Sequence, residues 1–304
     1  MEGFCMSLSF EQTIRLAGLM PRVVVPDGKI RRCKSEMNPN KNNGWYVLHA
    51  DGRGAWGDWT SGSGQSLGTW HEEGATQHAV SAEVIAKMKA QREAERNYRI
   101  QAVKSARAFW SRAKPLSLPH PYIANKGLSP LGCSGLRTHD GLLVIPVMLG
   151  DSLISLQTIT HDGVKKFWPG APVKAGACVL HRERSAVTAL VEGFATGLAV
   201  YQAMRNASVI VCFDAGNLIR VADRIKPTGS VVVVADNDHK TMVKRGVNPG
   251  LEAAKNTAEL IGCGVYYPEG IEGSDAADYL KEVGEGAARR LERLILAKAK
   301  YVMT

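Results

Sequence analysis

No run in the 304-residue chain approaches about 18 consecutive apolar residues, so no membrane-spanning helix is expected. The N-terminus, MEGFCMSLSFEQTIRLAGL, lacks a basic start followed by an unbroken apolar stretch, and no secretion signal is read there. Paired cysteines are missing as well. The six cysteines, Cys5, Cys33, Cys133, Cys178, Cys212 and Cys263, never come closer than 28 residues. A zinc ribbon holds its metal on tight C-x-x-C knuckles, so no zinc is expected. Scattered cysteines without a secretion signal read as reduced thiols, which points to the cytoplasm. Nor is there a G-x-x-x-x-G-K-[ST] phosphate loop.

What is present is an ordinary globular balance, 45% hydrophobic and 22% charged, which excludes a disordered or fibrous chain. The length suggests about two domains. Charge is uneven: residues 1–183 carry 23 Lys and Arg against 15 Asp and Glu, while 184–304 carry 15 against 14. A basic excess confined to one part favours a polyanionic partner, and nucleic acid is the commonest.

Residues 1–80 form a first region. Ser9 is placed to cap a short helix from Phe10 to Leu19, and the runs Ile30–Cys33, Trp45–His49 and Ala55–Trp59 lie between N-P-N, N-N-G, D-G and S-G-S-G punctuation. That pattern predicts a β-meander. Residues 81–115, without Gly and rich in Ala, Lys, Arg and Glu, predict a connecting helix. Residues 116–183 read as a mixed, basic segment with strands at Leu142–Met148 and Ser152–Thr160, then the stretch HDGVKKFWPG.

From 184 to 304 apolar runs alternate with helical spacing: strands at Val187–Val191, Ser208–Phe213, Ser230–Ala235 and Gly264–Tyr267, helices at Gly193–Met204, Leu218–Lys226 and Pro249–Ile261, and a helical tail, Gly284–Lys300. Near-continuous apolar strands separated by helices specify a parallel sheet covered on both faces. The fold class expected is α/β: this sheet flanked by helices, preceded by a mixed α+β subdomain and a small β-rich N-terminal domain.

Ligands of such sheets bind beyond the carboxyl ends of the strands. There the chain places Glu192, Asp214, Asp236 with Asp238, and Asp275 with Asp278. Carboxylates sharing one edge repel, and a divalent cation relieves the repulsion. Alternation in Asp236-Asn237-Asp238 sends both carboxylates to one side, as a hard oxygen site for Mg²⁺ (or Mn²⁺) requires.

VEGFATGLAV followed by VVVVADND resembles the Toprim domain, shared by bacterial-type primases, type IA and type II topoisomerases, certain nucleases and recombination mediators. PYIANKGLS, LLVIPVMLGDSLISLQTITHDGVKKFWPGAPVKAG, FDAGNL and NPGLEAAKNTAELIG are similar to primase-like proteins of phages, satellite phages and plasmids. DGKIRRCK…GWYVLHADG…GDW resembles their leader domain, so the likeness covers nearly the whole chain. Three departures stand out: Thr196 occupies the position four residues after the Glu where cellular primases carry Asp, HKTMVKRGV is inserted before Asn248, and the zinc ribbon has no ligands.

The resemblance implies a DNA primase, acting in a bacterial host cell, that makes short RNA primers on single-stranded DNA from nucleoside triphosphates. A separate replicative helicase would do the unwinding. Glu192, Asp236 and Asp238 would be the catalytic and metal-binding carboxylates, with Asp214, Asp275 and Asp278 as auxiliaries. Lys165, Lys166 and Arg137 would contact phosphate. Arg31, Arg32 and Lys34 beside Trp45, Tyr46, Trp56 and Trp59 suit a template strand, since cations interleaved with aromatics hold unstacked bases. The alternatives are a Toprim nuclease and a non-catalytic nucleic-acid-binding adaptor. For the tryptophans the competing expectation is the core of the small β domain.

Overall fold

The computed structural model describes residues 8–60, 66–71, 82–117, 119–129 and 135–303, in two compact units that divide between Gln91 and Arg92. Cys5, Cys133 and the Ser61–Gly64 turn lie outside the described residues.

The first unit begins with helix α1 (Phe10–Leu16). Ser9 accepts from the Gln12 N–H while the Gln12 side chain returns to the Ser9 N–H, a closed capping box. Strands β1 (Leu19–Met20), β2 (Arg31–Ser35), β3 (Gly44–Leu48), β4 (Arg53–Asp58) and β5 (Ser66–His71) follow as an antiparallel meander in chain order. Phe10 and Ile14 of α1 pack on one sheet face with Leu19, Cys33, Tyr46 and Trp56. Gly54 is needed for this: a Cβ there would lie 2.3 Å from the Phe10 ring.

Helix α2 (Ala82–Arg112) crosses the boundary between the units. Most of its surface is exposed, but its C-terminal turns in the second unit bury Ala102 and Ala106. Ala106 packs with Phe109 and Trp110 on Val144, Leu153 and Leu156. Those three belong to an antiparallel sheet built from β6 (Lys114–Pro115), β7 (Arg137–His139), β8 (Leu142–Leu149), β9 (Ser152–Ile159) and β10 (Lys165–Phe167). Between β6 and β7 lies the short helix α3 (Pro121–Asn125), capped by His120 with Pro121 in its first turn.

A six-stranded sheet completes the unit, in the order β11 (Cys178–Leu180), β13 (Ala207–Val211), β12 (Val187–Val191), β14 (Gly229–Val234), β15 (Gly264–Tyr266). β12 to β15 are parallel, β11 runs antiparallel to β13, and β16 (Lys300–Val302) adds antiparallel to β14. Helices α4 (Phe194–Ala203), α8 (Ala276–Val283) and α9 (Ala287–Leu296) contribute to the core on one face. Helices α5 (Ala215–Ile225) and α7 (Pro249–Ile261) contribute to the core on the other. The inserted HKTMVKR segment forms α6 (His239–Arg245). β11, although it precedes residue 184, belongs to this sheet, and paired bonds between Met148 and Ala177 at 2.8 and 2.9 Å tie it to β8. The β8–β9 face opposite α2 shares one apolar core with α4 and α8. The mixed α/β architecture with a helix-covered parallel sheet is the one expected. Among the described residues no helix is long and apolar enough to cross a membrane.

Candidate metal and phosphate site

The parallel strands β12, β13 and β14 end on one edge of the sheet, so Glu192, Asp214 and Asp236 follow their carboxyl ends. Glu192 accepts from the Ala215 N–H at the start of α5. A Cβ on Gly250 would sit 3.2 Å from Glu192 Oε2 and 4.0 Å from the Asp236 carbonyl, and one on Gly193 would sit 3.9 Å from Asp236 Oδ2. Two glycines thus leave room around the two carboxyl groups. Asp236 takes a hydrogen bond of 2.7 Å from the hydroxyl of Thr196, a residue 1% exposed.

Electrostatics mark the pair. Burial, then the charge of Asp214, raises the Glu192 carboxyl above its ordinary range. Burial pushes Asp236 up to about 7, and Asp275 and Glu192 add repulsion against the opposing pull of the Thr196 hydroxyl. Lys165 lowers both groups, so its ammonium is an electrostatic neighbour of each.

The other carboxylates have local partners. Asp214 caps α5 by accepting from the Asn217 N–H at 2.8 Å. Asp238, exposed, caps α6 through the N–H and hydroxyl of Thr241. Asp275 and Asp278 form the capping box of α8, and Lys126 bridges them at 3.2 and 3.1 Å. Burial works against ionisation of Asp278, yet the Ser274 N–H and Lys126 hold its pKa below the usual range. Asn237, between the two aspartates, turns away: its N–H donates to the Ser274 carbonyl at 2.7 Å and its amide to that of Pro268 at 2.9 Å.

Six carboxylates therefore do not converge. Among the described residues no three His, Cys, Asp or Glu side chains come close enough to enclose a metal ion. Mg²⁺ is commonly held by one or two carboxylates, with water and substrate phosphates filling its shell. Glu192 and Asp236, hard oxygen donors whose mutual repulsion a cation would relieve, fit that requirement.

The strand pleat separates the two adjacent lysines. Lys165 and Phe167 pair with Ile159 and Gln157, on the face that shares its core with α4, whereas Lys166 pairs with Thr158 on the α2 face. Of the two lysines, Lys165 is the one that acts on the carboxylates. The Arg137 guanidinium donates to the Trp110 carbonyl at 2.7 Å and stacks 4.3 Å from the Trp110 ring, at the end of α2.

In the first unit Tyr46 and Trp56 are 2% and 7% exposed and belong to the core with Phe10, so neither offers a stacking surface. Trp45, 8% exposed, is also withdrawn from solvent, its ring 6.2 Å from that of Trp59. Trp59 is 44% exposed, with Arg32 5.9 Å from its ring centre. Arg31 pairs with Asp27 at 2.6 Å. Arg22, Arg31, Arg32 and Lys34 line an open cavity of about 700 Å³ together with Met20, Val23 and Ile30. Thr196, Gly250 and Lys126 are the site residues that motif reading did not assign a role. Only the Thr-for-Asp exchange four residues after Glu192 signalled one of them.

Residues 187–286 match the family model of the Toprim domain. Beyond the domain, it is similar to two DNA primases TraC of Escherichia coli. One is 30% identical over 286 residues and the other 28% identical over 287, each match covering 85% of this chain. The chain spans a quarter of the length of the first relative and 19% of the second. The likeness to Toprim primases of the plasmid and phage type, read first from the motifs, is thus met by the family match and by both relatives. Among solved structures, the zinc-binding and RNA polymerase domains of Aquifex aeolicus primase align over 97% of this chain and 84% of that one, at 15% identity and a TM-score of 0.40. The primase fragment of the bacteriophage T7 primase-helicase aligns over 58% and 74%, at 14% identity and a TM-score of 0.42.

Proposed function

We propose that this protein is a DNA-dependent primase, which joins nucleoside triphosphates into short RNA primers on single-stranded DNA during replication of a phage or plasmid. The observation that carries the reading is the Glu192–Asp236 pair at the carboxyl edge of a Toprim sheet, in a chain that resembles DNA primases over most of its length. Glu192 and Asp236 would hold Mg²⁺ or Mn²⁺, which when bound neutralises phosphate charge and favours ionisation of the attacking 3′-hydroxyl. Lys165 holds the triphosphate from the facing hairpin. Thr196 fixes the Asp236 carboxylate through its hydrogen bond. Glu192 either shares the cation or accepts the proton that the 3′-hydroxyl releases as it bonds to the α-phosphorus, while the bond from the α-phosphorus to the bridging oxygen breaks and pyrophosphate leaves. The template strand runs over Arg32, Lys34 and Trp59 in the first unit, and a separate helicase is the proposed source of single strands.

Incubating the full chain with single-stranded DNA, labelled nucleoside triphosphates and Mg²⁺ or Mn²⁺ tests this reading. Template-dependent RNA of short length supports it. A shortened DNA template would make the protein a nuclease instead, and a mobility shift with neither product would make it an adaptor.

A further inference from the structure

Phe213 is one of five non-glycine residues with positive φ among the described residues, at 74°. For a bulky residue that backbone is a true outlier, and such strain persists where the surroundings enforce it. The position lies between the end of β13 and Asp214, on the same sheet edge as Glu192 and Asp236. The Phe213 ring meets Phe167 of β10 edge-on, with centroids 5.8 Å apart and planes at 80°. Phe167 is 36% exposed, two residues along the strand from Lys165 and on the same face. Directly across the ladder, Gln157 is 5% exposed, and its Oε1 has no hydrogen-bond partner among the described residues. A cation, a carboxylate pair suited to a dication and an exposed aromatic ring therefore share one side of the second unit, with the buried Gln157 amide across the ladder from the ring. A triphosphate and a base are the chemical complement of that set.

We propose that Phe167, braced by Phe213, is the platform on which the base of the incoming nucleoside triphosphate stacks, with its phosphates towards Lys165 and the Glu192–Asp236 edge. The inference rests on the primase reading and extends it to how the nucleoside is held. A π-face accepts every base, so the platform supplies affinity without choosing among the four nucleotides.

The test compares labelled ATP with ribose 5-triphosphate, which lacks the base, by equilibrium dialysis against the full chain in Ca²⁺. Phe167→Ala should weaken ATP binding about 5- to 150-fold and leave ribose 5-triphosphate unchanged. Phe167→Leu, apolar and of similar bulk, should lose as much as the Ala variant, and Phe167→Tyr should stay within about threefold of the parent. Circular dichroism of each variant checks the fold. The platform is overturned if Phe167→Ala binds ATP like the parent, if both ligands weaken equally, or if the parent does not prefer ATP to ribose 5-triphosphate. Primer synthesis run in parallel separates the two levels. A chain that makes primers yet fails the comparison refutes the platform alone, whereas one that passes it yet makes no primers refutes the primase reading alone.

Discussion

Replacing Asp236 with Asn should stabilise the metal-free protein while abolishing primer synthesis. The carboxyl group is half-buried, and its pKa is pushed up from 3.8 to about 7 by burial, with further repulsion from Asp275 and Glu192. A folded-state pKa raised above the unfolded value means that ionisation is harder in the native protein. Below about pH 4 the carboxyl is protonated in both states and costs nothing. As pH rises through 7 the native state loses that advantage, and above 7 it carries the full cost. The rise from 3.8 to about 7, at about 1.36 kcal/mol for each pH unit, sets a ceiling near 4 kcal/mol. Water reaches part of the carboxylate and lowers this, leaving about 1–3 kcal/mol for the Asn variant to recover. The amide oxygen can still accept from Thr196, so that hydrogen bond survives the change.

Because the chain has two units, the assay must report on the parallel sheet alone. Equilibrium urea titrations in EDTA at pH 4, 6 and 8 should be pulse-labelled with deuterium at a common pH, and peptides covering β12 and β14 read by mass spectrometry. The expected stabilisation by Asp236→Asn is absent at pH 4 and full at pH 8. Mg²⁺ should then reverse the order at pH 8, since a ligand at 100 times its Kd adds about 2.7 kcal/mol to a protein that binds it only when folded. A variant less stable than its parent at pH 8 without metal would refute the argument. It would mean that the Asp236 charge supports the fold instead of straining it.

Thr196→Val removes a buried donor to a charged group, and should lower kcat about 10-fold or more with little change in nucleotide KM. Thr196→Ser should restore most of it, and a steady-state comparison of the three proteins checks both statements. Lys126→Met leaves Asp275 and Asp278 facing each other, and should destabilise the second unit by about 1–2 kcal/mol at pH 7. The loss should shrink as pH falls through the depressed pKa of Asp278, as urea titrations at pH 3 and 7 would show. Combined Arg32→Ala and Lys34→Ala should weaken single-strand binding and flatten its log–log salt dependence by about 0.7 for each phosphate no longer neutralised, measured by fluorescence anisotropy between low and moderate salt.

The helix-covered parallel sheet is legible because its central strands, β12, β13 and β14, are largely buried on both faces and read as apolar runs. Val231–Val234 shows this, with every residue at 0% exposure. Asn248-Pro249 starts α7 where the cap chemistry says it must. The elements that sequence reading passes over are short or lack such signals. β11 and β16 are three residues each and join the sheet by antiparallel pairing with strands far along the chain. α8 starts on Asp275, a residue that also reads as a ligand, and a local pattern cannot separate a capping carboxylate from a coordinating one.

The same ambiguity runs through the candidate site residues. An exposed stacking tryptophan and a core tryptophan have one letter. What decides between them is the partner across the sheet, and Phe10, dozens of residues upstream of Trp56, is that partner. Lys165 and Lys166 are equally basic in composition, and only the pleat of β10 aims the first at the carboxylates. Phe213 is the extreme case: its composition signal is that of any strand residue, and the feature that singles it out is a backbone angle. Charge and periodicity therefore locate the edge where the chemistry belongs, while long-range pairing selects which of the residues there can act together.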